Sequence, residues 1–261
     1  MKLATFNPPG TSEALAGEVR DDRIVTFTTG KTVLELLADG DRTPATGPEH
    51  ALADVTLLEP ILRPPAIFCI GRNYAAHIAE LGNEKPEKPI VFLKLPLSSA
   101  PPGGPVNTPS ASHALDYEAE LVLVIGADHQ IAGYAVADDV SARDLQRSEK
   151  QWTRAKGFDT SCPWGPWITT ADELTDPIGL RITTHVNGEL RQDGNTRDLI
   201  FSPREIVDFI GEACTLEPGA IVLTGTPSGV GEAMDPPRYL QPGDTVRCEI
   251  EALGVIEHPI A

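Results

Sequence analysis

The sequence predicts an α+β fold, mostly β, with chiefly antiparallel strand pairing. Three observations predict it. Short apolar and β-branched runs recur along the chain, separated by Gly, Pro, Asn and Asp. Helix-like segments are few, and strands and helices do not alternate in a βαβα rhythm. Asn187-Gly188, set between two such runs, is the strongest short hairpin signal in the chain. At 261 residues the chain can bury a full core as one large domain or as a small and a large one.

Residues 1–60 read as a small β-rich module. Leu3 to Phe6, Ala14 to Val19 and Ile24 to Phe27 are expected strands, with Arg20-Asp21-Asp22-Arg23 as a turn. Thr32 to Asp39 suits one short helix, because Val33, Leu36 and Leu37 share a face. Arg63-Pro64-Pro65 marks the expected boundary with a second unit over 61–261. There, Ala66 to Ile70 is a buried-strand pattern, Tyr74 to Leu81 a short helix stopped by Gly82, and Ile90 to Lys94 a strand. Leu95 to Pro109 is too rich in Pro, Ser and Gly for a regular element.

The stretch Asp116 to Gly126 carries an apolar, β-branched strand, and Ile131 to Ala137 is a second strand after the turn Ala127-Asp128-His129-Gln130. A helix is expected from Ser141 to about Ala155, followed by an aromatic, Pro-bearing loop from Gly157 to Trp167. Arg181 to Val186 and Glu189 to Gln192 form the Asn-Gly hairpin. Pro203 to Ala213 is a helix with Pro in its first turn. Ile221 to Thr224 is a buried strand leading into Gly225-Thr226-Pro227-Ser228-Gly229-Val230-Gly231, and Thr245 to Ala252 with Gly254 to His258 closes the chain as a hairpin.

Composition narrows the function classes. Lys and Arg number 21 against 38 Asp and Glu, a net charge of −17. That speaks against a nucleic-acid partner, which calls for a basic patch, and it requires local cations to hold any acidic substrate. No apolar run approaches membrane-span length, so no membrane partner is expected. The four cysteines, Cys69, Cys162, Cys214 and Cys248, fit neither zinc spacing nor a disulfide scaffold, and point to a reduced, cytoplasmic protein.

Four constellations can carry chemistry. Glu118 and Glu120 lie two apart on a strand and share a face. A turn centred near Asp128 pairs position 118 with about 138, so Asp138 or Asp139 lands beside them. Glu118, Glu120 and Asp139 can then hold a hard divalent cation, Mg²⁺ or Mn²⁺ rather than zinc. A solvated polar face on an edge strand meets the spacing equally well. His77 and Glu80 lie three apart on one helical face, which suits a general base but equally an ordinary surface pair. Arg143 and Gln146, also three apart, and Lys156 can clamp a carboxylate or carbonyl. The glycine-rich loop after Leu223 lacks a P-loop lysine, which excludes nucleotide binding. It can still offer backbone N–H groups and the Thr226 hydroxyl to a substrate carboxylate.

The stretches Gly71-Arg72-Asn73-Tyr74-Ala75-Ala76-His77, Asp116-Tyr117-Glu118-Ala119-Glu120-Leu121, Asp139-Val140-Ser141-Ala142-Arg143-Asp144, Ala155-Lys156-Gly157-Phe158-Asp159-Thr160 and Leu223-Thr224-Gly225-Thr226-Pro227-Ser228-Gly229-Val230-Gly231 occur in one order. That order resembles the fumarylacetoacetate hydrolase family, in its compact prokaryotic branch, over about residues 60–258. The resemblance implies a mixed β-roll with a small N-terminal β-rich module, and Mg²⁺ or Mn²⁺ held by Glu118, Glu120 and Asp139. It implies a water-activating dyad of His77 and Glu80 on a lid segment, a catalytic Lys156, and Arg72, Tyr74, Arg143, Gln146 and Thr226 around the substrate. It also implies a homodimer.

The implied reaction is cleavage of a C–C bond in a 2-oxo, acylpyruvate-type acid through a metal-stabilised enolate, by hydrolysis. The alternative is a decarboxylase or isomerase acting on oxaloacetate or on 2-hydroxyhepta-2,4-diene-1,7-dioate-type intermediates of aromatic catabolism. A metal-binding scaffold without turnover is disfavoured by the intact His77, Glu80 and Lys156. Two departures from the family pattern stand out. Asp138 replaces the usual Asn before the metal-binding Asp, and Lys94-Leu95-Pro96 interrupts the usual Lys-Pro order.

Overall fold

The computed structural model describes residues 1–261. A 12-stranded sheet forms the body, and a four-stranded sheet, Glu189–Asn195, Arg181–Val186, Thr245–Ile250 and Gly254–Pro259 in that order, packs against one face. Pairing is antiparallel except between Ile221–Leu223 and Ile67–Gly71 and between Cys162–Thr170 and Ser99–Ala100. No helix is long and apolar enough to cross a membrane.

The centre of the large sheet is Ala119–Ile125, buried along its whole length between Ile131–Asp138 and Ile221–Leu223. Its alternation divides the core. Leu121, Leu123 and Ile125 pack towards the four-stranded sheet and the helix Pro203–Gly211. Val122 and Val124 pack on the other face with Cys69, Ala135, Ala137, Trp164 and Leu223. The helix Pro203–Gly211 starts where its residues dictate: Ser202 and Glu205 form a reciprocal capping box, and Pro203 fills the first turn. Its Ile206, Val207 and Ile210 are buried, each stabilising by roughly 1.5–3 kcal/mol.

The expected N-terminal module is joined to the rest by hydrogen bonds and by core. Its first strand, Lys2–Asn7, pairs with Cys162–Thr170 at Lys2↔Thr169 and Leu3↔Ile168, and the sheet continues outward through Leu15–Arg20, Arg23–Thr26 and Glu49–Ala51. Leu3, Val33, Leu36 and Leu37 share one core with Ile67, Val122 and Ile221. The helix Val33–Ala38 is closed by a Thr32–Glu35 capping box.

Two segments differ from the sequence expectation. The Pro-bearing stretch read as a loop contains the nine-residue strand Cys162–Thr170. It tolerates its prolines because the ladder is interrupted there. Pairing with the neighbouring strand jumps from Tyr134↔Thr169 to Val136↔Gly165, and Pro166 sits inside that bulge. The long helix expected from Ser141 is instead a short strand, Ser141–Ala142, and two helices, Arg143–Ser148 and Thr153–Lys156. At the break the Ser148 hydroxyl donates to the Asp144 carbonyl at 2.8 Å, competing with the helical backbone.

Candidate active site

The pairing of Ala119–Ile125 with Ile131–Asp138 runs in register from Ala119↔Asp138 to Val124↔Gly133, then shifts to Ile125↔Ile131. Ala132 is the extra residue of this bulge. A symmetric turn about Asp128 sets position 118 opposite 138. The bulge moves that register by one, so the Asp139 N–H donates to the Glu118 carbonyl at 2.9 Å. Asp139 therefore stands beside the glutamates. Asp138 turns to the opposite face, where its Oδ1 accepts the Glu118 N–H at 2.7 Å and its Oδ2 meets His258 Nε2 at 3.0 Å. Asp138, the residue that departs from the family pattern, is thus engaged away from the carboxylate trio.

Glu118, Glu120 and Asp139 are buried, and one carboxylate oxygen from each lies within 4.8 Å of the others. Cations offset two of the three. Lys156 Nζ reaches Glu118 Oε2 at 2.6 Å and Asp139 Oδ2 at 2.8 Å, Lys94 Nζ reaches Asp139 Oδ1 at 2.7 Å, and Arg143 Nη2 reaches Glu118 Oε1 at 2.7 Å. Burial pushes the Glu118 carboxyl up, but the Lys156 and Arg143 charges outweigh it and hold it well below the usual carboxylate range. Glu120 makes no ion pair and accepts one hydrogen bond, from the Gly225 N–H at 2.6 Å. Burial, then the Asp139 and Glu118 charges, push its carboxyl well above the usual range. An all-oxygen donor set with one uncompensated carboxylate fits a hard divalent cation.

The helix Ala75–Glu80 presents the dyad. His77 Nδ1 lies 2.7 Å from Glu80 Oε1, and Glu80 Oε2 accepts the Gly229 N–H at 2.8 Å. The glycine-rich loop therefore serves the protein's own carboxylates: Gly225 holds Glu120, Gly229 holds Glu80, and the Gly231 and Glu232 N–H groups hold Asp116 at 2.7 and 3.0 Å. The Gly225, Gly229 and Gly231 amides are therefore not free for a substrate carboxylate. Gly229 sits at φ +106°, and a Cβ there would lie 2.1 Å from the Arg191 carbonyl oxygen.

A cavity of about 310 Å³ opens beside Glu118, while Glu120 and Asp139 lie outside its lining. Its lining brings together Arg72, His77, Glu118, Arg143, Gln146 and Lys156 of the expected site residues. Arg143 is oriented by Gln146 Oε1 at 3.0 Å and Asp116 Oδ2 at 2.8 Å. Arg72 adopts φ +62°, rare for a residue with a Cβ, and makes no ion pair. Tyr74 and Thr226 are not part of the lining. Tyr74 is buried as the residue preceding the helix Ala75–Glu80, and its hydroxyl has no hydrogen-bond partner. The Thr226 hydroxyl is used within the sheet: it donates to the Ala119 carbonyl at 2.9 Å and accepts from Gln192 Nε2 at 2.8 Å.

Sequence reasoning passed over Lys94, Asp116, Phe92, Trp152, Arg147 and Glu232, of which the last four also line the cavity. Lys94 carried a usable signal, as a lysine closing an apolar strand. It is fully buried against Asp139. Arg147 and Glu232 are distant in sequence and carried none.

The fumarylacetoacetate (FAA) hydrolase C-terminal family matches residues 66–261, and the chain belongs to that family. It is 40% identical to the mitochondrial oxaloacetate tautomerase FAHD2B of Bos taurus, over 98% of this chain and 90% of that protein. Among solved structures, the fumarylacetoacetate hydrolase of Exiguobacterium antarcticum superposes with a TM-score of 0.89 at 34% identity, covering 100% of this chain and 99% of that one. The 2-hydroxyhepta-2,4-diene-1,7-dioate isomerase of Mycobacterium marinum gives 0.83 at 34% identity, covering 100% and 98%. The fold is therefore the mixed β architecture of this family.

Proposed function

We propose that the protein moves a proton at the carbon beside the carbonyl of a 2-oxo dicarboxylic acid, in the manner of an oxaloacetate tautomerase or a hydroxyhepta-diene-dioate isomerase. The carrying observation is one cavity that joins His77 to four cations, Arg72, Arg143, Arg147 and Lys156. The names of the bovine relative and the Mycobacterium marinum neighbour support this reading over the hydrolysis expected from the sequence.

Glu118, Glu120 and Asp139 would hold Mg²⁺ or Mn²⁺. Bound there, the ion supplies positive charge for the oxygen on which an enolate develops. Arg143 and Lys156, each already paired with the carboxylates Asp116, Glu118 and Asp139, would add positive charge near the substrate carboxylate beside the reacting carbonyl. His77 has Nδ1 tied to Glu80, which leaves Nε2 to exchange the proton. In the forward direction a C–H bond breaks, its proton passes to Nε2, and the electron pair rests on the carbonyl oxygen. Return of the proton to that oxygen gives the enol, and return to another carbon gives an isomer.

A second reading, hydrolysis of an acylpyruvate with the same dyad activating water, is supported by the Exiguobacterium antarcticum neighbour. The homodimer belongs to the same proposal. Val91, Leu93, Leu95 and Leu97, on and just after the edge strand Ile90–Lys94, form an apolar row 37–56% exposed that a second copy would cover. A cytoplasmic location, expected from the cysteine spacing, is part of the same proposal; all four cysteines are free thiols.

The test is product analysis with Mg²⁺ supplied. Enolic oxaloacetate is expected to convert to the keto form, while acetylpyruvate yields no acetate. Acetate release with no effect on oxaloacetate would install hydrolysis instead.

A further inference from the structure

The cations of the cavity are not equally available. Arg143 and Lys156 are committed to Asp116, Glu118 and Asp139 beneath it. Arg147 is different. Its Nη1 alone makes the contacts, to Glu232 Oε1 at 2.5 Å and Oε2 at 2.7 Å and to the Tyr239 hydroxyl at 3.2 Å. The Tyr239 hydroxyl in turn donates to Glu232 Oε2 at 2.5 Å. One corner of the guanidinium is thus pinned by two residues, and its Nε and Nη2 have no partner. Arg147 and Glu232 both line the cavity, and the Arg147 side chain is 52% exposed.

We infer that Arg147, held by Glu232 and Tyr239, is a specificity-determining residue that receives the second carboxylate of a dicarboxylic substrate through its free Nε and Nη2. The inference rests on the 2-oxo dicarboxylic acid reading above. Two parallel N–H donors match a carboxylate's two oxygens, a geometry that a lysine at this position would not reproduce. Glu232 and Tyr239 act as positioning residues. They fix the side chain before the ligand arrives, so that less freedom is lost on binding. Glu232 cancels the Arg147 charge only in part from the viewpoint of a ligand, because its contacts lie on the Nη1 corner. Arg72, without an ion pair, adds a second positive group in the same cavity.

The experiment is calorimetric binding to the Mg²⁺-loaded protein of two 2-oxo acids of equal length, oxaloacetate and 2-oxobutyrate, which lacks the distal carboxylate. Wild type, Arg147→Gln and Arg147→Lys are compared, with circular dichroism to verify folding. Arg147→Gln is expected to weaken oxaloacetate about tenfold while 2-oxobutyrate stays within about twofold, and Arg147→Lys to recover only part of the loss. Equal losses for both acids, or an unchanged oxaloacetate affinity, would overturn the inference. Wild-type protein that turns over oxaloacetate while Arg147→Gln retains full discrimination defeats the inference and leaves the proposed function standing. Wild-type protein that discriminates through Arg147 but moves no proton does the reverse.

Discussion

At the scale of the residue, the decisive group is Glu120. It is the member of the carboxylate trio without an ion pair, and a bound divalent ion would remove its penalty. Replacing it by Ala is expected to lower Mn²⁺ affinity by on the order of 100-fold or more, measured by calorimetry, because a direct ligand should cost at least as much as a supporting one. His77→Ala is expected to keep metal affinity and to lose about 10²–10⁴-fold in turnover. Loss of metal binding in His77→Ala would contradict the separation of the two roles. The thiols provide an independent check. Cys69, Cys162 and Cys248 are buried and Cys214 is exposed. Burial pushes the Cys162 thiol up to about 12. A thiol reagent at neutral pH is expected to label Cys214 alone in the native protein, and fast labelling of a second cysteine would contradict the packing.

At the scale of the element, the loop Gly225–Gly231 fastens the site to the sheet. Gly229→Ala forces a Cβ against the Arg191 carbonyl in a backbone conformation costing roughly 1–3 kcal/mol. The loop should shift and release Glu80. Turnover is then expected to fall more than metal affinity, with Tm lower by roughly 2–4 °C per kcal/mol. Unchanged turnover would show that Glu80 does not depend on the Gly229 amide. Elements also mark how far the sequence was legible. Strand alternation placed Glu118 and Glu120 on one face, and the return strand brought an aspartate to them. Which aspartate depended on the bulge at Ala132, and a bulge leaves little trace in a pattern of apolar residues. The strand Cys162–Thr170 was illegible because Pro163, Pro166 and Gly165 read as loop, and only its neighbours' bulged pairing makes a strand of it. Lys94, Asp116, Arg147 and Glu232 join the site through contacts tens of residues apart, which local spacing cannot report.

At the scale of the whole molecule, a chain of net charge −17 sets four cations, Arg72, Arg143, Arg147 and Lys156, around one cavity. The large sheet makes that cavity depend on distant parts of the chain. Removing residues 1–60 would strip Lys2–Asn7 from Cys162–Thr170 and open the shared core. The truncated protein is expected to lose its cooperative thermal transition, and a truncated protein with full activity would contradict the continuity of sheet and core. The paired change Leu93→Asp and Leu95→Asp is expected to halve the mass seen by light scattering if the exposed row is the dimer face.

The most direct measurement follows the decay of enolic oxaloacetate by its ultraviolet absorbance, with Mg²⁺, for wild type, Glu120→Ala and His77→Ala. The account predicts that wild type accelerates the decay, that Glu120→Ala loses both acceleration and metal binding, and that His77→Ala binds metal but accelerates little. Acceleration that persists in His77→Ala, or in wild type after complete chelation, would contradict it.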